Sequence, residues 1–484
     1  MKKFVIFALM SVMTTALQTQ TVSQTEAMQR ATEYFNRNVR PAALRSTASV
    51  EPSGVTPWMA GDATCMYAVQ MAEGGWVLVS ADDRTTSSVL AYSENGTFDT
   101  DDMPDGMKWL LGDYARQILY IKRDSTIILK QAPKSEDASA LRSTQPQNNG
   151  SGSAIYTPGE WLLNLEGEGE ILWNQSWVAD GSKDSLCELS YNYYCPEASS
   201  PELADHCGKC PAGCGPVAMG QIMRYWKWPS HALVPKEQGS TEQQMKAYEW
   251  DLMPVQIDAH TSIENAQLCA SLLRDIGLVA GTVYGATSSG TDEMDFVRAF
   301  GAFSYHIDYS PMEDDCSNLI RNEIDEGRPI VISAYRQDKD GHYFIVDGYK
   351  DPLGYIDFFH VNWGWGKIKK EDRTYCLLSA LCPREIITIE ETFLYDKILY
   401  YHIYPECSPI GDKTTVSGAI LQDIDVNIQM SHKIDANCVV QSGKLKLQAD
   451  EVELQPGFEV KEGAALYVTA PSYQYCQTQG PGKK

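Results

Sequence analysis

Apolar residues with helical or alternating spacing divide the chain into folded segments. In the first segment, from about residue 22 to 130, helical spacing is present in Thr25–Val39 and in Met107–Ile121. Between these two helices, strand-like runs occupy Cys65–Gln70 and Gly75–Ser80. The pattern predicts a small α+β unit.

The second and largest segment, from about residue 155 to 405, has helical patterns first and strand patterns later. The helices are expected at Pro216–Trp228, Ile263–Ile276, Glu293–Phe300 and Cys316–Glu326, and the strands at Pro329–Ala334, Tyr343–Val346, Ile356–Val361 and Ile398–Ile403. Helices that precede strands favour an α+β domain over a wound parallel sheet.

Two further segments differ from these in composition. Residues 133–153 have no apolar periodicity and are rich in turn-forming residues, which is typical of a linker open to proteolysis. In the tail, apolar and polar residues alternate between regular Gly or Pro-Gly turns. This alternation predicts a small all-β module, and its even spacing is compatible with a short β-solenoid.

The N-terminus and the charge bear on where the protein works. Lys2 and Lys3 precede an apolar stretch and then small residues, as in a secretory signal peptide. A membrane anchor is the alternative, but the apolar run is shorter than the roughly 20 residues that a spanning helix needs. The net charge of −24 disfavours nucleic acid and anionic lipid as partners. We expect an exported protein, secreted or at the cell surface, with no membrane span.

Cys214 is the candidate nucleophile among 13 cysteines, an odd number that leaves at least one thiol unpaired if the others form disulfides. Gly213 before it and Gly215-Pro216 after it indicate a tight turn leading into a helix. The positive end of a helix dipole favours the thiolate, which is the nucleophilic form. A structural cysteine is the alternative interpretation.

His342 is the candidate base, because it immediately precedes the apolar core of a strand and follows the small Gly341. A packed core histidine is the alternative. Further along, Asn362 and Trp363 stand in F-H-V-N-W-G-W-G. The amide can orient an imidazole and the indole can shield that hydrogen bond, so Cys, His and Asn follow in the order of a papain-like triad. A glycine-rich turn packed by aromatic residues is the alternative for this motif.

Five separated segments together resemble the streptopain family of the papain clan of cysteine endopeptidases. They are L-W-N-Q, A-G-C followed by M-G-Q-I-M-R-Y-W-K-W-P, G-R-P-I-V-I-S, G-H-Y-F-I-V-D-G-Y and F-H-V-N-W-G-W-G. The front unit, with G-G-W-V-L-V-S-A-D-D-R, resembles the inhibitory propeptide of that family. The resemblance covers roughly residues 22 to 400 and leaves out the tail.

The resemblance implies a role for each matching residue. Cys214 would be the nucleophile and His342 the general base, while Asn362 and Trp363 would orient and shield the histidine. Gln175 would donate to the oxyanion beside the Cys214 backbone N–H.

The substrate cleft is implied at five positions: Gly341, Ser288, Ser289, Gly290 and Thr291. The chain departs from the family at Gly215-Pro216, where Val-Ala is usual, and this changes the start of the catalytic helix.

Two alternatives of other classes remain. His206, Cys207, Cys210 and Cys214 form H-C-x-x-C-x-x-x-C, which can hold structural zinc, although Cys207 and Cys210 can equally form disulfides with Cys187 or Cys195. The second alternative is a papain fold without activity that serves in binding or adhesion. The presence of Cys214, His342 and Asn362 together argues against it.

The sequence therefore predicts a secreted cysteine endopeptidase zymogen of α+β fold class, with a papain-like catalytic domain of two subdomains. The expected divisions are a signal peptide (1–18), an inhibitory propeptide (19–132), an activation linker (133–153), the catalytic domain (154–406) and a C-terminal β module (407–484). Its partners would be protein and peptide substrates and its own propeptide. We expect no cofactor and no metal site.

Overall fold

The structure is a computed structural model. It describes residues 21–40, 48–101, 103–123, 161–175, 187–198, 200, 207–312, 316–335, 341–351, 357–364, 374–378, 397–406, 413–421, 424–429, 433–448 and 451–469. The expected signal peptide, the linker at 133–153 and His206 lie outside these residues.

The described helices and strands follow in chain order. The helices are α1 (Gln24–Tyr34), α2 (Asp105–Arg123), α3 (Cys214–Trp226), α4 (Ile263–Val279), α5 (Glu293–Ala302) and α6 (Ser317–Asp325). The first strands are β1 (Pro52–Ala60), β2 (Ala63–Met71), β3 (Trp76–Ser80), β4 (Val89–Ser93), β5 (Asn164–Leu165), β6 (Gly169–Glu170), β7 (His231–Pro235) and β8 (Gln243–Ala247). They continue with β9 (Tyr305–Pro311), β10 (Ile330–Tyr335), β11 (Gly341–Lys350), β12 (Phe358–Asn362), β13 (Thr374–Cys376) and β14 (Lys397–Pro405). The tail contains β15 (Lys413–Leu421), β16 (Ile424–Gln429), β17 (Lys433–Val440), β18 (Gly443–Gln448), β19 (Glu451–Leu454), β20 (Glu459–Val460) and β21 (Ala465–Thr469).

The front unit is the predicted α+β unit. Helix α1 begins at a capping box in which the Ser23 side chain accepts from the Glu26 N–H and the Glu26 carboxylate accepts from the Ser23 N–H. The helix continues as a π-helical turn at Phe35–Val39. Strands β2 and β3 lie where the alternating runs predict them, whereas β1 and β4 were not predicted.

One antiparallel sheet of ten strands connects the front unit with the large segment. Its strand order is β1-β2-β3-β4-β13-β12-β11-β10-β14-β9. The junction is the pairing of β13 with β4, in which Tyr375 lies opposite Tyr92 and the two rings stack 5.1 Å apart. The core is therefore continuous across the two units.

The large segment has the predicted order, with helices α3 and α4 before the strands of the sheet. Helix α3 packs against α4 on one side and against β11 on the other. It is buried on almost every face because it lies between these two layers. The hairpin β7–β8, the edge strand β9 and the short strand β13 were not predicted.

The tail is all-β, as predicted, and its strands pair in parallel. Strands β15, β17 and β19 form one sheet, in which β20 also pairs with β17, and β16, β18 and β21 form another. Alternate residues of β17, such as Ile434 and Ala436, are buried in a separate small core. Met245 of β8 also belongs to this core, so the module packs against the β7–β8 hairpin. Parallel strands one after another are the geometry of a short β-solenoid.

Among the described residues, no helix combines the length and the apolar character that crossing a membrane requires.

Candidate active site

Cys214 is the first residue of α3, and the turn before it depends on Gly213. Gly213 has φ of 95°, a conformation that favours glycine. A Cβ at this residue would lie 3.1 Å from the Ser289 carbonyl oxygen. The Val217 N–H donates to the Gly213 oxygen and starts the helix, so Pro216 occupies the first turn, where a missing N–H costs little. The Gly215-Pro216 departure is thus compatible with a regular helix.

The Cys214 thiol is partly exposed and faces His342 of β11. Burial of the sulfur raises its pKa, but the charge of the His342 imidazole and its hydrogen bond to the thiol lower it more. The backbone N–H groups of Tyr343 and Gly215 lower it further, and the net pKa lies below that of an ordinary thiol. These contacts favour the thiolate, which is the form that attacks a carbonyl carbon.

His342 is held from the side opposite Cys214 by a main-chain oxygen. Its Nε2 lies 2.9 Å from the carbonyl oxygen of Trp363, and the imidazole is 5% exposed. Trp363 is 1% exposed and packs against Phe344, with the ring centroids 5.0 Å apart. The buried indole therefore keeps water from this contact, whereas the sequence predicts that it shields a hydrogen bond between Asn362 and the imidazole.

Asn362 immediately precedes Trp363 in the chain, and the hydrogen bonds of its side chain go to groups other than the His342 imidazole. Its Nδ2 donates to the Gln221 Oε1 and to the Ile171 oxygen, both at 2.9 Å, while its Oδ1 accepts from the Gly364 N–H at 3.0 Å. The last bond closes a turn around Trp363. In this structure the Trp363 carbonyl contacts the imidazole, and Asn362 braces the turn that presents this carbonyl.

Gln221 is a buried residue of α3 that was not predicted from the sequence. Besides Asn362, its Oε1 accepts from the backbone N–H of Trp173 at 3.2 Å. It therefore connects the nucleophile helix with the turn of Trp363 and with the segment that leads to Gln175. A glutamine within the apolar run of a helix is the signal that would have identified it.

Gln175 is tied to the nucleophile segment by Asn192, which was not predicted either. The Asn192 Nδ2 donates to the Gln175 oxygen at 3.0 Å, and its Oδ1 accepts from the Ala212 N–H at 2.8 Å. Asn192 is fully buried, so one carboxamide clamps both backbones. This holds the Gln175 backbone close to Ala212, two residues before the first residue of α3. No local pattern around Asn192 indicates such a role.

The expected cleft residues lie along the same helix terminus. The Ser289 hydroxyl donates to the Pro211 oxygen at 2.7 Å, and a Cβ at Gly215 would lie 3.2 Å from the Thr291 side chain. Ser289 and Thr291 are buried, whereas Ser288 and Gly290 are exposed, as is Gly341 at the start of β11. The first two therefore pack against the segments that flank Cys214, and the other three are open to solvent.

The described members of the alternative zinc set, Cys207, Cys210 and Cys214, do not form a metal-binding cluster. Cys207 forms a disulfide with Cys187, one of the pairings considered from the sequence, so its sulfur is not available to a metal. Cys210 is a buried free thiol, and Cys214 pairs with His342 instead.

The front unit covers His342. A Cβ at Gly106, in the first turn of α2, would lie 2.5 Å from the Cδ2 of His342 and 2.8 Å from the Cε3 of Trp363. The backbone of α2 thus lies directly on both rings. Further along α2, Asp113 forms a buried ion pair with Lys397 of β14 at 2.7 Å.

A helix that begins at an activated cysteine, facing a histidine on an antiparallel sheet, defines a class: the papain-like cysteine peptidases. Because the front unit packs on the His342 imidazole, it has the position of a propeptide.

Comparison with known proteins agrees with this class. Residues 187–370 match the Peptidase C10 family, and residues 19–118 match the Spi protease inhibitor family. The thiol protease/hemagglutinin PrtT of Porphyromonas gingivalis is 27% identical over an alignment 370 positions long, which covers 72% of this chain and 38% of PrtT. Streptopain of Streptococcus pyogenes is 24% identical over an alignment 351 positions long, which covers 67% of this chain and 76% of streptopain. Among solved structures, a prointerpain A fragment of Prevotella intermedia has a TM-score of 0.49 at 17% identity, covering 72% of this chain and 98% of the fragment.

The chain therefore contains a Peptidase C10 domain preceded by a Spi-type inhibitor domain, the pair of domains expected of a streptopain-like cysteine peptidase with its propeptide. It spans 38% of the length of PrtT.

Proposed function

We propose that the chain is the precursor of an exported endopeptidase that cleaves peptide bonds through a thioester on Cys214. The observation that carries the proposal is the contact of Cys214 with His342 at the N-terminus of α3, which lowers the pKa of the thiol. This combination is the requirement for an activated thiol nucleophile.

In the first half of the reaction, the Cys214 thiolate attacks the carbonyl carbon of the scissile bond and forms a C–S bond. The negative charge moves to the carbonyl oxygen, where the Cys214 N–H and the Gln175 amide donate hydrogen bonds. The C–N bond then breaks as protonated His342 gives its proton to the leaving amine.

In the second half, His342 removes a proton from water, and the resulting hydroxide attacks the thioester. Collapse of this intermediate breaks the C–S bond, releases the carboxylic acid product and restores the thiolate–imidazolium pair. The Trp363 carbonyl, 2.9 Å from Nε2, supports the imidazole in the orientation that both halves require.

Substitutions in the activated enzyme test this assignment. Cys214→Ser should abolish hydrolysis of an unfolded protein substrate, and His342→Ala should lower turnover by several orders of magnitude. Asn362→Ala should cost less, because Asn362 braces the turn of Trp363 and transfers no proton. Full activity of the Cys214→Ser enzyme would overturn the mechanism, whereas an activated wild-type enzyme without activity would favour a binding or adhesion role for the fold.

We further propose that the front unit inhibits the enzyme until the linker at 133–153 is cut. The contact of Gly106 with His342 and Trp363 supports this, because a substrate cannot reach the imidazole while α2 lies on it. A covalent linker keeps the unit at high effective concentration, so one cut favours its release. A Cys214→Ala precursor should stay at full length unless another protease is added, and an intact wild-type precursor with full activity would contradict the proposal.

Export is the remaining part of the proposal and rests on the signal-like N-terminus. Protein recovered from the culture medium should begin between Ala16 and Gln20 when its N-terminus is sequenced before the propeptide is removed. Retention of the full-length chain inside the producing cell would contradict it.

A further inference from the structure

Two histidines and an aspartate converge at the outer edge of the ten-stranded sheet. His306 and Asp308 lie two residues apart on the edge strand β9, and His402 lies on the neighbouring strand β14. The His306 Nε2 lies 3.6 Å from one Asp308 carboxylate oxygen, and the His402 Nδ1 lies 2.8 Å from the other. All three potential ligand atoms are within 4.8 Å of one another.

The backbone is locally irregular at this point. Tyr401 pairs with Asp308 and Tyr404 pairs with His306, so β14 has two residues where β9 has one. His402 is one of the two and has φ of 51°, a left-handed conformation that is costly for a residue with a Cβ. Bulges of this kind redirect a side chain, and strained residues cluster at functional sites. Here the bulge brings the His402 ring to Asp308.

Neighbouring side chains hold both imidazoles in place: Glu323 contacts the second ring nitrogen of His402, and Tyr404 packs against the His306 ring. The His402 Nε2 lies 3.2 Å from the carboxylate of Glu323, which is 1% exposed and also binds Arg328 through both oxygens. A carboxylate behind the second ring nitrogen is the arrangement that fixes a metal-binding histidine. The His306 ring stacks on Tyr404 with centroids 5.0 Å apart.

We propose that His306, Asp308 and His402 bind a divalent transition-metal ion of the zinc class. Imidazole nitrogen and carboxylate oxygen are ligands that zinc prefers. Ligand atoms of a tetrahedral zinc lie about 3.3 Å apart, given metal–ligand bonds of about 2.0–2.1 Å. The spacings of the two imidazoles to Asp308, 3.6 and 2.8 Å, lie on either side of this value, and all three ligand atoms lie within 4.8 Å of one another. Three protein ligands leave a fourth position for water or for a group from outside.

The ion would link the edge strand β9 to β14. It would also bridge the His402 Nδ1 and the Asp308 carboxylate, which lie 2.8 Å apart. The site is separate from the catalytic pair, which lies on α3 and β11, so the proposal does not depend on the peptidase activity.

The test uses the untagged full-length Cys214→Ala chain, because this change removes the thiol that can bind zinc together with His342 and also prevents self-cleavage. Calorimetric titration with Zn²⁺ should give one bound ion per chain with a Kd in the micromolar range or tighter. Asp308→Asn and His306→Ala, each added to that chain, should weaken binding by about tenfold or more. His260→Ala, which removes an exposed histidine outside the cluster, should leave the Kd unchanged.

Two further measurements test whether the metal ion binds at this cluster. Co²⁺ should give visible absorption bands in the parent chain that Asp308→Asn diminishes, and Zn²⁺ should raise the thermal midpoint of the parent but not of that variant. Asp308→Asn keeps the size of the side chain, so metal-free melting curves can verify that it folds. No binding at micromolar zinc, or binding equal in the parent and both cluster variants, would overturn the proposal and leave a surface ion-pair cluster only.

Discussion

At the scale of the residue, the reactivity of Cys214 depends on interactions that raise and interactions that lower the pKa of its thiol. Burial raises the pKa of the thiol, while the His342 charge and hydrogen bond, together with two backbone N–H groups, lower it more. A group whose pKa is lowered stays deprotonated at a pH where an ordinary thiol is still protonated.

This balance predicts the pH dependence of alkylation. In the activated enzyme, iodoacetamide should label Cys214 rapidly near neutral pH, and the rate should fall only as the pH drops through the lowered pKa. In the His342→Ala enzyme, burial still raises the pKa of the Cys214 thiol, but the imidazole that lowers it is gone. The curve of alkylation rate against pH should therefore shift to higher pH. His260→Ala should leave the curve in place. Identical curves for the wild type and His342→Ala would show that the imidazole does not activate the thiol.

Gln221 is a positioning residue in the same network, and it touches neither substrate nor the reacting atoms. Gln221→Leu removes the acceptor of the Asn362 and Trp173 donors and should lower kcat by about ten- to a hundredfold, the usual range for groups one contact removed from a reactive site. KM should change little, because the exposed cleft residues are untouched.

The matched control is Gln244→Leu on the β7–β8 hairpin, which should keep the wild-type kcat. Gln221→Glu preserves the acceptor oxygens and should recover part of the loss. If KM rises with kcat unchanged, Gln221 supports the cleft rather than the catalytic groups.

At the scale of the element, helix α2 shows how a single glycine sets the distance between propeptide and active site. Gly106 lies against His342 and Trp363, whereas a Cβ at Gly112 on the same helix would meet no neighbouring atom within 4 Å. The two glycines therefore form a natural pair of test sites on one helix.

Gly106→Ala should push the first turn of α2 away from the imidazole and weaken inhibition. We expect the precursor to process itself about tenfold faster or more, and intact precursor to be alkylated at Cys214 more quickly. Gly112→Ala should process no faster than the wild type, because its methyl group meets nothing and alanine favours the helix. The mature enzymes are identical after propeptide removal, so any difference belongs to docking. Equal rates in both variants would contradict the proposed block.

At the scale of the whole molecule, the propeptide and the catalytic domain share one sheet and one buried ion pair. Strand β4 pairs with β13, and the Asp113 carboxylate meets Lys397, whose ammonium also lies 4.8 Å from the centre of the Trp109 ring. Lys397 is 4% exposed, so removal of its partner leaves an unpaired buried charge. Removing one partner of a buried ion pair destabilises a protein by about 3–5 kcal/mol.

Asp113→Asn should therefore weaken docking of the propeptide, and the precursor should be cleaved faster than a variant with a substitution on the exposed surface. Asp62→Asn, in the exposed turn between β1 and β2, is the control and should behave as the wild type. The measurement is the time course of precursor cleavage at a fixed amount of added mature enzyme. Equal time courses for the two variants would show that the ion pair does not contribute to docking.

Much of the fold follows from local patterns. Helices α3 to α6 and strands β10, β11, β12 and β14 begin and end within a few residues of the predicted limits. Their apolar residues either follow the period of the element or form a short continuous apolar run, and both signals are visible in the local sequence. The strands that were missed, such as β9 and β13, are short or half-exposed, and their alternation is weak. They form because neighbouring strands offer them hydrogen bonds.

The sequence by itself determined the α+β class, the all-β tail and the residues that the chemistry requires: a cysteine before a helix, a histidine before a strand and the Asn-Trp pair. Each of these depends on a few neighbours in the chain. Only the tertiary structure decided what lies against what: Asn192 beside Gln175, Gly106 on His342, β4 next to β13 and His402 facing Asp308. These contacts join residues far apart in sequence, and their free energy depends on packing and strand register that no single segment encodes.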